Sequence, residues 1–224
     1  MLTQASILFP DTWMEGNFLI KNFKISRKKV FPVPHGVDER FMYAKPNLFY
    51  KKYGLKDFVL YVGRIDIRKN VLNLIRALKN IDLDLVIIGK AEPDQQAYFE
   101  KCKREANKKV HFLGQFPHES KLLESAYAAA KVVTSPADYE TPGLFGLEGG
   151  LARANIVITK RGSTKDYYGK YVWYVNPDDI KDIKAKLLQA YKSEKSNDLR
   201  DHIKKNFLWD KIAKRNLEGY KKVL

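Results

Sequence analysis

The 224-residue chain is 45% apolar, enough to bury a full core, which excludes intrinsic disorder. It has no run of about 18 uncharged apolar residues and no secretory leader at its start, so the chain reads as cytoplasmic, and a single cysteine, Cys102, excludes an internal disulfide or a thiolate metal cluster. Its +15 charge, from 41 basic and 26 acidic residues, is spread in short groups such as Arg27-Lys28-Lys29 and Lys204-Lys205; most of it reads as solvated surface, with peripheral contact to an anionic membrane as a second reading and no specific nucleic-acid site.

Ala5 to Pro10 reads as a strand, Thr12 to Phe23 as a helix, and Val30-Phe-Pro-Val-Pro-His-Gly-Val37 as an extended segment punctuated by proline. One strand and one helix cannot make a domain, so residues 1–45 read as the remnant of a preceding domain, with a linker near Arg40 to Lys56. From Asp57 onward, short apolar runs alternate with amphipathic stretches. Phe58–Gly63, Leu85–Gly89, Val110–Leu113, Val132–Thr134, Asn155–Thr159 and Tyr171–Val175 are apolar on both faces, as parallel strands covered by helices on both sides are. Between them, helices are expected over Lys69–Asn80, Asp94–Asn107, Glu119–Ala130, Phe145–Ala152 and Asp178–Lys192. The alternation gives an α/β fold, a doubly wound Rossmann-like parallel sheet with right-handed crossovers, over residues 46–205. Asp198 to Leu224 reads as helical, with 206–224 set apart as a C-terminal helix.

Glu140 and Glu148 lie eight residues apart in Tyr139-Glu-Thr-Pro-Gly-Leu-Phe-Gly-Leu-Glu148, where a strand gives way to a glycine-containing loop and a helix. In an open α/β sheet this junction lies on the carboxyl edge, where ligands bind. A helix starting near Phe145 turns its free N–H groups on the loop and favours an anion. Glu140 on the strand side and Glu148 in the first helical turn would then bracket something polar, such as a ribose diol or a sugar, because a carboxylate accepts hydrogen bonds from neighbouring hydroxyls. The spacing alone also allows Glu148 merely to complement the helix dipole. After the first main strand, Gly63-Arg64-Ile-Asp-Ile-Arg68-Lys69-Asn70 places a turn glycine and basic residues on the same edge, where Arg64 and Lys69 can neutralise a diphosphate; Arg68 reads as surface. The chain has no Gly-Lys-Ser/Thr loop and no Gly-x-Gly-x-x-Gly after a strand, which argues against ATP and NAD. No Asp-x-Asp pair or His/carboxylate cluster suggests a metal, so neither a metal nor a cofactor is expected.

The ordered set of Val33-Pro-His-Gly-Val-Asp38 with Phe41, Gly63-Arg64 with Lys69, His111-Phe-Leu-Gly114, and Glu140 to Glu148 resembles the GT-B glycosyltransferases of family 4, which move a sugar from a nucleotide diphosphate with retention of anomeric configuration. The similarity runs over about residues 5 to 224 and implies a UDP- or GDP-sugar as donor. By resemblance, Arg64 and Lys69 bind the diphosphate, Glu140 contacts the donor-sugar hydroxyls and Glu148 the ribose. Gly63, and Gly143 with Leu144, supply loop backbone close to the donor, and Phe116 and Lys121 line the nucleobase pocket.

Three positions depart from the family pattern: Pro142-Gly143 stands for Phe-Gly, His35 for the linker asparagine, and Lys165 where relatives often carry glutamate. The largest departure is length. A whole enzyme of this type has two Rossmann-like domains, with the acceptor site on the first. The resemblance therefore implies a donor-binding half whose acceptor, a glycan, lipid or protein, is unassigned, and whose turnover needs a separate N-terminal-domain partner or self-association. A non-catalytic nucleotide-sugar-binding or membrane-docking module is the alternative.

Overall fold

Residues 2–224 are described by a computed structural model. Six strands, β1 (Val59–Val62), β2 (Leu85–Ile88), β3 (Val110–Phe112), β4 (Val132–Ser135), β5 (Asn155–Thr159) and β6 (Trp173–Val175), form one sheet in the order β3-β2-β1-β4-β5-β6, every pairing parallel. All six match strands expected from the sequence. The helices are α1 (Trp13–Phe23), α2 (Asn47–Tyr53), α3 (Val71–Leu78), α4 (Gln96–Glu105), α5 (Lys121–Ala129), α6 (Leu144–Leu151), α7 (Thr164–Tyr168), α8 (Ile180–Lys192), α9 (Asp198–Asn206) and α10 (Trp209–Tyr220).

Alternation along each strand divides the core into two layers. Val59, Tyr61, Leu85, Ile87, Val132 and Val157 face α3 and α8, where Leu74, Ile75, Ile183 and Leu187 cover them. Leu60, Val86, Ile88, Val133, Ile156 and Ile158 face the opposite way, against Tyr127 of α5, Leu147 and Leu151 of α6, and Leu199 and Ile203 of α9. Burying each such aliphatic side chain contributes roughly 1.5–3 kcal/mol, so both layers are needed for stability. Side chains fix several helix starts: Thr12 accepts from the Glu15 N–H, Ser120 from Leu122, and Asp179 from Lys181 and Asp182.

Outside the sheet, three expectations are corrected. Ala5 to Pro10 is not a strand, because only Leu8 forms a bridge, to Val30, and no neighbouring strand lies there to extend the pairing. The segment read as a linker is ordered by packing: a 3-10 turn over Glu39–Tyr43 buries Phe41, and α2 buries Phe49 and docks on α5, with the Phe49 N–H donating to Ser125 Oγ at 2.9 Å. Finally, the C-terminal helical stretch breaks at Phe207-Leu208, where Val37 bridges Leu208 and exchanges backbone hydrogen bonds with Phe207 and Trp209. Beyond that break α10 lies on the N-terminal segment, with Arg215 Nε donating to the Pro32 carbonyl at 2.6 Å and the Phe9 and Tyr220 rings 5.2 Å apart.

Close approaches shape the carboxyl edge of the sheet. A Cβ on Gly89, after β2, would lie 1.8 Å from the Gly63 carbonyl oxygen, so only glycine lets the loop after β1 cross there. Asn70 then sits in the left-handed region (φ 57°) at the entry to α3 and is buried, its Nδ2 donating to the carbonyls of Pro136 at 3.0 Å and Pro177 at 2.8 Å. One side chain thus ties together the loops that follow β1, β4 and β6. Replacing it with alanine removes both bonds and places a non-asparagine residue at positive φ. Asn70→Ala should therefore lower the unfolding free energy by about 2–4 kcal/mol in urea titrations.

Candidate active site

β1 and β4 are neighbours, but α3 leaves β1 on one face of the sheet while α6 leaves β4 on the other. A crevice opens beyond the strand ends wherever the winding reverses in this way. Here it has a volume of about 410 Å³ and is lined by Gly63, Lys69, Ser135, Glu140, Gly143 and Glu148, with His35, Tyr61, His118 and Tyr127.

Glu140 follows β4 and is held through its backbone. It forms a single parallel bridge with Gly162, in the loop after β5, and its N–H donates to the Arg161 carbonyl. A Cβ on Gly162 would come within 2.1 Å of the Glu140 carbonyl oxygen, and Gly162 has φ +91°, so this crossing also requires glycine. The carboxylate is only 6% exposed. Its Oε1 accepts from Lys69 Nζ at 2.6 Å and from Ser135 Oγ at 3.2 Å, while Oε2 has no hydrogen-bond partner among the described residues. Lys69 is delivered by the turn that precedes α3, where Asp66 accepts its backbone N–H at 3.0 Å.

α6 starts at Leu144, preceded by Gly143 in the left-handed region (φ 75°) and by a cis Thr141–Pro142 bond. Tyr168 Oη donates to the Gly143 carbonyl at 2.6 Å and fixes the cap. The Gly146 N–H donates to the Gly143 carbonyl at 2.9 Å, and the N–H groups of Leu144 and Phe145, which have no partner among the described residues, attract an anion together with the helix dipole. Because the helix begins one residue earlier than the sequence suggested, Glu148 is its fifth residue and not part of the first turn. Dipole effects fall off within that turn, so complementing the dipole does not account for a buried glutamate there.

Glu148 is instead held by two groups that its spacing from Glu140 did not reveal. Tyr127 Oη donates to its Oε2, and His118 Nε2 lies 2.8 Å from its Oε1. Burial, reinforced by the Glu148 charge, pushes the Tyr127 hydroxyl well above its ordinary pKa, so it stays a donor. His118 Nδ1 lies 3.1 Å from Arg40 Nη2, an arrangement suited to a neutral ring that donates through Nε2 and accepts at Nδ1. The hydrogen bond to Glu148 raises its pKa, while partial burial and, less strongly, the Arg40 charge oppose it. The Glu148 bond prevails, and the pKa lies above the ordinary value.

The expected site residues divide into two groups. Gly63, Lys69, Glu140, Gly143, Leu144 and Glu148 meet at the crevice. Arg64 stands outside its lining, exposed, with Nε 3.7 Å from Asp66 Oδ2. Phe116 stacks on Tyr53 with ring centroids 6.4 Å apart, and Lys121 pairs with Glu124 beside Arg40, so neither lines the crevice. His111 holds Asp84 at 2.8 Å across neighbouring strands, a structural bond. Cys102 is buried, which pushes its thiol up to about 11 and makes it inert. The sequence reading missed Tyr61, Ser135, His118 and Tyr127; for Tyr61, Ser135 and Tyr127 the one available signal was a hydroxyl residue inside an otherwise apolar run, and His118 carried none. Among the described residues, no three His, Cys, Asp or Glu side chains converge to hold a metal ion, and no helix is long and apolar enough to cross a membrane.

A family model described as "Glycosyl transferases group 1" matches residues 49–207. An uncharacterized glycosyltransferase of Methanocaldococcus jannaschii is 29% identical over 189 residues, which make up 77% of this chain and 47% of that protein. Among solved structures, a glycosyltransferase from Rickettsia africae superposes with a TM-score of 0.86 at 16% identity, over 100% of this chain and 65% of that one. Anabaena HepE in complex with UDP superposes with a TM-score of 0.84 at 15% identity, over 98% and 64%. These matches show the fold, that of GT-B glycosyltransferases. The chain spans about half the length of the curated relatives it matches.

His118 should give the stability of this site a pH signature. Because its folded pKa is raised above 6.5, the stabilisation it gains from Glu148 is fully present below the unfolded value and is lost as pH rises through the folded one. Denaturation of wild type and His118→Gln should therefore differ most below the ordinary imidazole pKa and converge as the pH rises above it. The gap should be small, because the imidazole is 62% exposed. A gap that widens with pH would contradict the assignment.

Proposed function

The chain belongs to the glycosyl transferases of group 1, and on that footing we propose that it is the donor-binding half of a retaining, family 4 hexosyltransferase that uses a nucleotide-diphosphate sugar. The donor-binding unit would span residues 46–205, with 1–45 and 206–224 forming its interface to a second domain. One observation carries the reading: Lys69 and Glu140 form a 2.6 Å pair beside the N-terminus of α6, with Glu148 one turn further along that helix. A cation, an anion-attracting helix end and two carboxylates are what a diphosphate flanked by two polyols requires.

In this reading the diphosphate docks on the free N–H groups of α6 and draws Lys69 Nζ away from Glu140. Oε1 of Glu140 is then released to join Oε2 in accepting from donor-sugar hydroxyls. Arg64 is free to close from the solvent side. The ribose diol displaces the exposed His118 from Glu148, while buried Tyr127 keeps hold of the other carboxylate oxygen. As the anomeric C–O bond breaks, its electron pair passes to the diphosphate. Lys69, Arg64 and the α6 N–H groups meet that growing charge, which stabilises the transition state more than the ground state. The acceptor hydroxyl oxygen bonds to the same face of the anomeric carbon, and its proton leaves on the departing diphosphate. With these groups the diphosphate charge is met without a divalent ion. Phe116 and Lys121 lie outside the lining of the crevice and are kept for the nucleobase.

UDP in the complex with Anabaena HepE supports a uridine donor, and a guanosine donor is the natural comparison. The second wall of the cleft would come from a partner domain or a second copy, and the +15 charge suits a cytoplasmic protein working against an anionic membrane. Titration calorimetry with UDP-, GDP- and ADP-sugars tests the reading. Lys69→Ala and Glu148→Ala should each weaken the preferred donor by about 10- to 100-fold, since each removes a hydrogen bond to a charged group. Arg64→Ala should cost less, and that cost should shrink at high salt because the side chain is exposed. If no donor binds, the site is wrongly assigned; donor binding without turnover in the presence of any acceptor would mark a binding module.

A further inference from the structure

From the 3-10 turn over Glu39–Tyr43, Arg40 sends its guanidinium between α5 and the loop that carries His118. Each nitrogen meets a different group. Nη1 lies 3.4 Å from Asp38 Oδ2, and Nε lies 3.4 Å from Glu124 Oε1 without hydrogen-bond geometry. Nη2 donates to the His118 carbonyl at 3.0 Å and lies 3.1 Å from His118 Nδ1. Asp38 also accepts the Arg40 N–H at 2.9 Å, and the Phe41 ring lies 4.9 Å from the guanidinium carbon, so the side chain is held from several directions. One nitrogen of Arg40 thus grips both the backbone and the ring of His118, whose other ring nitrogen is aimed at Glu148 Oε1, 2.8 Å away. All these contacts lie within the chain and need no exposed surface.

We propose that Arg40 is a positioning residue for the donor: by turning the Nδ1 lone pair of His118 towards its guanidinium, it favours the neutral ring, whose bond to Glu148 a ribose diol can replace. The proposal rests on the donor reading above. A guanidinium can only donate, so protonating Nδ1 would set two donors against each other and add a like charge. The charged groups around the ring are Glu148 on α6 and Arg40 and Asp38 on the turn, with Glu124 of α5, itself paired with Lys121, behind Arg40 and the Tyr127 hydroxyl behind Glu148. Glu148 and Asp38 favour the proton, whereas Arg40 and partial burial oppose it. A protonated ring would hold Glu148 by a charge-assisted bond, which a neutral hydroxyl displaces less readily. Once displaced, that ring loses its anionic partner and gives the Nδ1 proton to water. Donor affinity should therefore rise with pH, by at most about tenfold per unit for one released proton, and level off above the pKa of His118 in the empty site.

Two measurements on the full chain test the proposal: imidazole NMR titration of the empty protein, and calorimetry with UDP-glucose, GDP-mannose and ADP-glucose across the imidazole range, where their diphosphates do not titrate. Arg40→Met should raise the His118 pKa and move the rise in donor affinity to higher pH by the same amount. Near neutral pH it should weaken the donor about three- to tenfold, and at the alkaline end it should match wild type. Arg40→Lys, which keeps the charge, should bring the profile back towards wild type. His118→Gln should flatten the profile, and adding Arg40→Met in that background should change nothing further. An unchanged His118 pKa in Arg40→Met overturns the proposal while donor binding leaves the donor reading standing. A loss of affinity that is the same at every pH would mark a direct donor contact instead, and a lower Tm with an unaltered pH profile would mark a purely structural role. If none of the three sugars binds at any pH, the donor reading falls and the positioning role with it.

Discussion

A carboxylate as deep as that of Glu140 is tolerable only if it is paired, and much of the carboxyl edge of this sheet is arranged to keep it so. The partner, Lys69, lies on a different loop, so two turns must converge on one oxygen. Asp66 sets the first turn by accepting the Lys69 N–H, and Asn70 closes it by reaching across to the loops after β4 and β6. The second is set by Gly162, whose missing side chain lets another loop lie against the Glu140 backbone, and by Ser135, which binds the same carboxylate oxygen as Lys69. Removing the lysine alone would strand a nearly buried carboxylate, whereas Lys69 without Glu140 would remain part-exposed to water.

Apart from Glu140 Oε2, the carboxylates of the crevice are therefore paired. Lys69 is bonded to Glu140, and Tyr127 and His118 are bonded to Glu148. On the proposed reading, a ligand would exchange these bonds for its own, and such exchanges are nearly neutral in free energy. The net gain would then come from phosphate charge set against the end of α6, where the N–H groups of Leu144 and Phe145 have no partner among the described residues. Ser163, in the loop before α7, is the contrasting case of a buried hydroxyl with nothing to exchange.

The alternation of apolar strands and amphipathic helices was legible because burial on both faces imposes it residue by residue, and all six strands follow that pattern. Pairing was harder to foresee. Ile7-Leu8-Phe9 has the composition of a strand, yet β-structure needs a neighbour, and only Val30 offers one bridge. α2 was hidden because it is short, follows Pro46 and is stabilised chiefly by docking Phe49 against α5. In the site, Lys69, Glu140 and Glu148 could be picked out because charges beside a strand end and a helix start have few structural uses. Tyr127 and Ser135 could not, because within their own helix and strand they look like core residues. Their roles arise from contact with Glu148 and Glu140, in other elements. Phe116 and Lys121 were placed by chain position alone; in the structure one packs on Tyr53 and the other pairs with Glu124, both outside the crevice lining.

The bridge between Val37 and Leu208 brackets all six strands in the chain, and outside it the Phe9 ring lies against Tyr220. Topologically, the sheet with its covering helices is a closed loop tied at its neck, with both tails lying together beyond the knot. Closing so long a loop costs only slightly more entropy than closing a short one, although the contact joins residues far apart in sequence. The same geometry tolerates a change of connection: a short tether between the segments of Phe9 and Tyr220, with a break opened in an exposed turn, would give a circular permutant that keeps the sheet and its crevice.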